Sequence, residues 1–177
     1  MNKILEYAGQ YKKNYFWSVT LVLLAVFAQV IPYLFLYKLV IHIIGIETYT
    51  TNQLISYVVI IAICLLLYTF LYTKGLELSH IAAYNTLKNL RIYLQERMEK
   101  MPLGAITAIG NGTFKKMFVD DIETLELLLA HAIPELTANT LVPLLTLITV
   151  FIVDWRLGLL SIASLVLGVL PMCMMFG

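Results

Sequence analysis

The chain has 177 residues, of which 60% are hydrophobic and only 13% charged, with a formal net charge of +1 and a mean hydropathy of +0.85. Soluble domains carry roughly half and a quarter of these classes, so the balance points to lipid. It excludes a disordered tail, a disulfide-stapled secreted module and a basic nucleic-acid binder.

At the amino terminus Ile4, Leu5, Ala8 and Tyr11 recur at helical spacing beside Lys3, Lys12 and Lys13. This pattern predicts an amphipathic elbow helix over residues 1–14, lying at the headgroup level on the cytoplasmic side. Crossing a hydrocarbon core of ~30 Å takes about 20 helical residues. Apolar runs of that order, without an interior Lys, Arg, Asp or Glu, cover about 15–37, 54–72, 136–153 and 157–177. Ionic residues cost several kcal/mol at mid-bilayer, so the four runs read as transmembrane helices of an all-α membrane protein. The first run exceeds the ~7–15 apolar residues of a secretory signal, and no small-residue cleavage site follows Tyr37, so a retained span is expected.

Ten of the twelve basic residues precede the first run or lie between the second and third; only Lys38 and Arg156 belong to the other face. By the positive-inside rule the amino terminus and the middle segment are cytoplasmic, in a multi-pass protein of the cell (plasma or inner) membrane. Tyr15, Trp17, Tyr33, Tyr37, Tyr72 and Trp155 fall near run ends, as interfacial aromatics do.

The middle segment, 73–135, is too polar for lipid but strongly patterned. Ile81, Tyr84, Leu87, Leu90, Leu94, Met98 and Met101 are spaced by three or four, which predicts one rod from about Leu54 to Met101, stopped by Pro102 and Gly104. At 1.5 Å per residue it is about 70 Å long, so about half must stand in the cytosol. Gly104, Gly110, Asn111 and Gly112 then form loop, followed by a short element at Thr113, Phe114, Lys115, Lys116, Met117 and Phe118. Helix resumes near Asp120, where Asp120 and Glu123 resemble a capping box, or Asp121 caps instead. Ile122, Leu125, Leu128, Leu129, Ala132, Ile133 and Leu136 form one face of that returning arm. The result is a long cytoplasmic helical hairpin whose tip aromatics and lysines lack a partner in the sequence, as expected of a surface that docks on a separate cytoplasmic body.

Two spans joined by a short outer turn, a long cytoplasmic extension, and the run Gly112-Thr113-Phe114-Lys115-Lys116-Met117-Phe118-Val119-Asp120-Asp121 resemble the membrane domain of ABC transporters with the exporter-type (type 1) fold. Asp154-Trp155-Arg156-Leu157 looks like that family's outer turn between its third and fourth spans. The resemblance implies that Thr113 to Phe118 are the coupling helix, seated on a nucleotide-binding domain, and that a second transmembrane half pairs with this one. It also implies ATP and magnesium in the partner or missing domain, with no cofactor in this chain. The family has six spans per half, so the chain is expected to be an incomplete membrane domain, lacking its last two spans and any fused ATPase. Ala130-His131-Ala132-Ile133-Pro134-Glu135, with Asp121 and Glu126, is similar to the siderophore and iron-transporter subgroup.

The sequence holds no phosphate-loop motif, so ATP hydrolysis is not expected of this polypeptide alone. His42, His80 and His131 are far apart and read as ordinary surface or interface histidines rather than metal ligands. Cys64 and Cys173 sit in apolar runs, where a thiol behaves as a small hydrophobe. Pro32, Pro143 and Pro171 bend spans, and Gln29 and Asn139 are the polar residues placed to line a cavity or to bond between helices. The leading expectation is an ABC transporter membrane subunit or fragment. The alternative is a stand-alone four-span scaffold that recruits a cytosolic protein.

Overall fold

A computed structural model of the chain describes residues 7–176, and these are helical almost throughout, with no strand among them. Residues 1–6, with Lys3, Ile4 and Leu5 of the expected elbow, and Gly177 lie outside the described residues. The described part of the elbow is not a separate helix. It is a 3-10 turn, Gly9–Tyr11, that runs directly into helix α1, Lys12–Ile43. Gly9 sets this geometry with φ +52°, a backbone region that side chains disfavour.

Helix α2, Thr51–Glu99, is unbroken for 49 residues, about 74 Å at 1.5 Å each, in keeping with the expected rod. A seven-residue helix α3, Leu103–Ile109, follows. Residues 111–153 are then helical without interruption. Along them lie α4 (Asn111–Lys115), a wide π turn (Lys116–Asp120), α5 (Asp121–Leu127), a second π turn (Leu128–Ala132) and α6 (Ile133–Val153). Asp154 alone separates α6 from α7, Trp155–Phe176, and its Oδ1 accepts the Arg156 amide at 2.8 Å, capping the new helix. Three of the helical stretches, Lys12–Ile43, Thr51–Glu99 and Gly112–Val153, are long and apolar enough to cross a membrane. Helix α7 is also apolar, but the part whose side chains are described, Trp155–Val169, is shorter than those three.

The chain divides into two compact units. One joins the described part of residues 1–25 to Leu67–Ala138. Its core is Ala8, Tyr15, Ala82, Ala83, Leu87, Ile122, Leu129 and Ala130, with Tyr11, Leu90, Leu94 and Leu125 packed against it. Small residues set the separation of the helices here. A Cβ on Gly75 would lie 2.8 Å from Val22 Cγ2 and 3.2 Å from the Ser18 carbonyl oxygen. The buried face of α2 is accordingly Gly75, Ser79, Ala82, Ala83, Thr86 and Leu87. This corrects the expected apolar stripe, since Ile81 and Tyr84 are exposed while Leu87 is buried. The amino-terminal segment is tied to the same helix: Asn89 Nδ2 donates to the Tyr7 carbonyl at 2.9 Å, and the Tyr7 and Tyr93 rings meet at 5.2 Å.

The other unit joins Val26–Leu66 to the described part of residues 139–177. Most of its large apolar side chains are exposed, among them Phe27, Ile55, Val58, Ile63, Leu66 and Ile152. Its turn after α1 is built on polar contacts. Gly45 takes φ +80°, His42 Nδ1 accepts the Tyr49 amide at 3.1 Å, and the Tyr49 hydroxyl donates to the Glu47 carboxylate. That bond, followed by desolvation and nearby negative charge, pushes the Tyr49 phenol up to about 12. Lys38, one of the two basic residues assigned to the outer face, lies over the Tyr57 and Phe35 rings at 5.4 and 5.9 Å.

Candidate functional site

The tip of the middle segment begins where α2 stops. Pro102 lacks an amide hydrogen and stands extended at φ −60°, ψ 142°, which keeps Leu103–Ile109 from fusing with α2. At the other end Gly110 takes φ 82°, ψ 148°, a conformation open to glycine, and so keeps the helix from fusing with α4. The Thr107 hydroxyl reaches the carbonyls of Leu103 and Gly104 at 3.1 and 3.0 Å, closing the short helix on itself. Leu103 is 77% exposed, a large apolar side chain presented by a separate element.

The expected short element, Thr113 to Phe118, is not separate. Thr113, Phe114 and Lys115 lie in α4, and Lys116, Met117 and Phe118 lie in the first π turn, so all six belong to the continuous returning helix. Thr113, Lys115 and Lys116 are exposed, but Phe114, Met117 and Phe118 are half-buried rather than projecting. The isolated helix is therefore about ten residues earlier than expected. Its composition, Leu-Gly-Ala-Ile-Thr-Ala-Ile, has no charge and includes Gly104, which reads as loop in sequence.

The capping box at Asp120 is also corrected. Asp120 is itself helical, at φ −68° and ψ −46°, and makes no side-chain cap bond. Helix already runs in from Asn111, leaving no free amides at Asp120 to cap. Asp120 and Glu123 instead line an open surface hollow of about 440 Å³ with Thr124, Glu126, Leu127 and His131, while Asp121 is exposed in the first turn of α5.

A joint that the sequence did not disclose lies between α2 and the second π turn. The buried Ser79 hydroxyl reaches the Ala130 carbonyl at 2.9 Å and the Leu129 carbonyl at 3.2 Å. Beside it the His80 and His131 rings meet edge to face, with centroids 4.8 Å apart, and His131 Nδ1 lies 3.0 Å from Glu135 Oε1. Two histidines expected to be unrelated are thus neighbours across helices. The signal available in sequence was the i,i+4 pair His131 and Glu135; the meeting with His80 depends on tertiary packing. Leu128 and Leu136, expected on the buried face of the returning arm, are exposed; Leu136 follows the π turn, whose wider step shifts the phase of the helix, whereas Leu128 opens that turn. Gln29 is half-buried on α1 and Asn139 exposed on α6.

No family model matches the chain. Part of it is similar to a protein of Mycolicibacterium smegmatis named mycobactin import ATP-binding/permease protein IrtA, 34% identical over 96 residues, which is 54% of this chain and 11% of that protein. The protein of the same name from Mycobacterium tuberculosis is 35% identical over 80 residues, 45% of this chain and 9% of that protein. The chain thus spans about a tenth of the length of the curated relatives it matches, and what it is similar to is a portion of an ATP-binding/permease protein.

Proposed function

We propose that this chain is part of the membrane domain of an ABC transporter with the exporter-type fold, spanning the cell membrane four times with its amino terminus in the cytoplasm. The observation that carries the reading is α2. Thr51 to Tyr72 carry no charged side chain, the rest carries Lys74, Glu77, Lys88, Arg91, Glu96, Arg97 and Glu99, and its 49 residues far outreach a bilayer. A single stiff helix of that length transmits displacement between cytosol and lipid without absorbing it. The names of the similar proteins, which pair ATP binding with a permease, support the same reading.

In this reading the tip docks on a nucleotide-binding domain, which binds ATP with magnesium and closes in response to it. The contact is made by the exposed face of α3, with Leu103 at its centre, and by Thr113, Lys115 and Lys116 at the start of the returning helix. Phe114, Met117 and Phe118 brace that start from behind. A second transmembrane half completes the pathway, Gln29 and Asn139 contribute polar groups to it, and the cargo is of the mycobactin kind for which the relatives are named.

The test is a photo-crosslinking amino acid at Leu103 in cells carrying the complete locus. Capture of a polypeptide bearing a nucleotide-binding domain is the expected result. Capture of a different cytosolic protein, with no ATPase recovered, overturns the transporter reading and favours a scaffold.

A further inference from the structure

In an α-helix the amide of each residue bonds the carbonyl four positions earlier, and in a π turn the carbonyl five positions earlier. Pro134 has no amide hydrogen. The two carbonyls it leaves without a donor are therefore Ala130 in the α register and Leu129 in the π register. These are the two carbonyls within reach of the Ser79 hydroxyl, at 2.9 and 3.2 Å. Ser79, Leu129, Ala130 and Pro134 are all buried, so water does not supply the missing donor. The proline ring also presses on the carbonyl four positions back, and the wide turn at Leu128–Ala132 gives that carbonyl room to tilt away.

We propose that Ser79 is a surrogate amide for Pro134, and that together they make the turn at Leu128–Ala132 a tethered hinge in the returning helix. A hydroxyl has one proton and rotates freely, so it serves whichever of the two carbonyls the helix register exposes. The helix can then move between α and π registers across this turn without leaving a buried carbonyl unpaired and without detaching from α2. A one-residue change of register re-aims the side chains that follow, beginning with Glu135 and Leu136. This inference concerns the chain itself and stands whether or not the transporter reading does.

The experiment uses the full chain in lipid nanodiscs, with hydrogen exchange measured over residues 125–136. Ser79→Ala is expected to speed exchange there roughly tenfold, the effect of one lost buried bond. Adding Pro134→Ala restores an amide to the helix, so the double variant is expected to return to within about twofold of the parent. If Ser79→Ala alone fails to insert, the double variant is still expected to insert. An unchanged rate in Ser79→Ala, or a double variant that exchanges as fast as the single or also fails to insert, overturns the surrogate role. The hinge has its own readout: spin labels at Glu123→Cys and Leu136→Cys, with Cys64 and Cys173 replaced by Ala. Pro134→Ala is expected to narrow the distance distribution, and a parent already as narrow as that variant overturns the hinge.

Discussion

Helix α2 carries two kinds of surface on one backbone. Between Thr51 and Leu66 its large side chains Ile55, Val58, Val59, Ile63 and Leu66 are exposed, the last at 72%; between Leu67 and Glu99 its buried residues are Gly75, Ser79, Ala82, Ala83, Thr86 and Leu87, mostly small. In water this distribution would be upside down, because apolar area stays exposed while small and hydroxylated residues are buried. It makes sense when the solvent differs. Lipid is as apolar as a leucine side chain, so the first half gains little from packing its leucines against protein. The second half is held by close approach at Gly75 and by the Ser79 hydroxyl on the Ala130 carbonyl, contacts that large side chains on that face would prevent.

The sharpest way to break this comparison is to truncate one leucine in each half. Leu87 is fully buried in the core formed with Ala83, Ile122 and Leu129, so Leu87→Ala is expected to destabilise by about 3 kcal/mol. Leu66→Ala removes a side chain that touches solvent on most of its surface, and in a bilayer lipid fills the space, so the loss is expected to stay below about 0.5 kcal/mol. Unfolding by a denaturing detergent in mixed micelles measures both. Equal losses would mean that Leu66 is covered by protein rather than lipid, and that the two halves do not differ in the way described.

A second, smaller contrast concerns glycine. A methyl group at Gly75 meets Val22 at 2.8 Å and the Ser18 backbone oxygen at 3.2 Å, of which the first can rotate away and the second cannot. Gly75→Ala is therefore expected to cost about 1–2 kcal/mol by the same unfolding measurement, even though alanine is the better helix former. Gly168 has open space around it, so Gly168→Ala should be neutral or gain up to about 1 kcal/mol from helix propensity. A gain at both positions would remove close approach as the organising feature of the first unit.

The two halves also differ in how far they were legible in sequence. Long apolar runs are one-dimensional signals, so α1, the start of α2, α6 and a break after Val153 follow from counting, although the break is one residue, Asp154, where the runs leave three. The rod itself follows from the absence of Pro and the three-four spacing through Leu87, Leu90 and Leu94. The packed face did not follow, because hydropathy weights Ile81 and Tyr84 above Ser79 and Ala82, whereas contact in the structure goes to whatever lets two backbones approach. The isolated helix at the tip was missed for a related reason: seven small and aliphatic residues between Pro102 and Gly110 have no amphipathic period to detect. The joint at Ser79 was out of reach, since a serine fifty residues from its acceptor carries no local mark.

The smallest expected effect lies at the turn between α1 and α2, where polar contacts are made in the open. The Tyr49 hydroxyl donates to the Glu47 carboxylate, and deprotonating the phenol would set two negative charges side by side, which is why it is held up at about 12 instead of 10. The folded chain thus keeps the proton more tightly than the unfolded one. Any stability from this contact is fully present below the unfolded value of 10 and is lost as the pH rises through about 12. Because the Glu47 carboxylate is exposed, solvent screens the pair, and the effect is expected in the titration curve rather than in unfolding at neutral pH. Tyrosinate absorbance of the parent minus that of Tyr49→Phe isolates this phenol among the eleven tyrosines. Glu47→Gln should bring its midpoint back toward 10, because an amide leaves no charge for the phenolate to face. A midpoint that does not move would assign the shift to the neighbouring Tyr57 and Tyr37 and to burial instead. It would also show that this turn is ordered by the His42 ring, which accepts the Tyr49 amide, more than by the carboxylate.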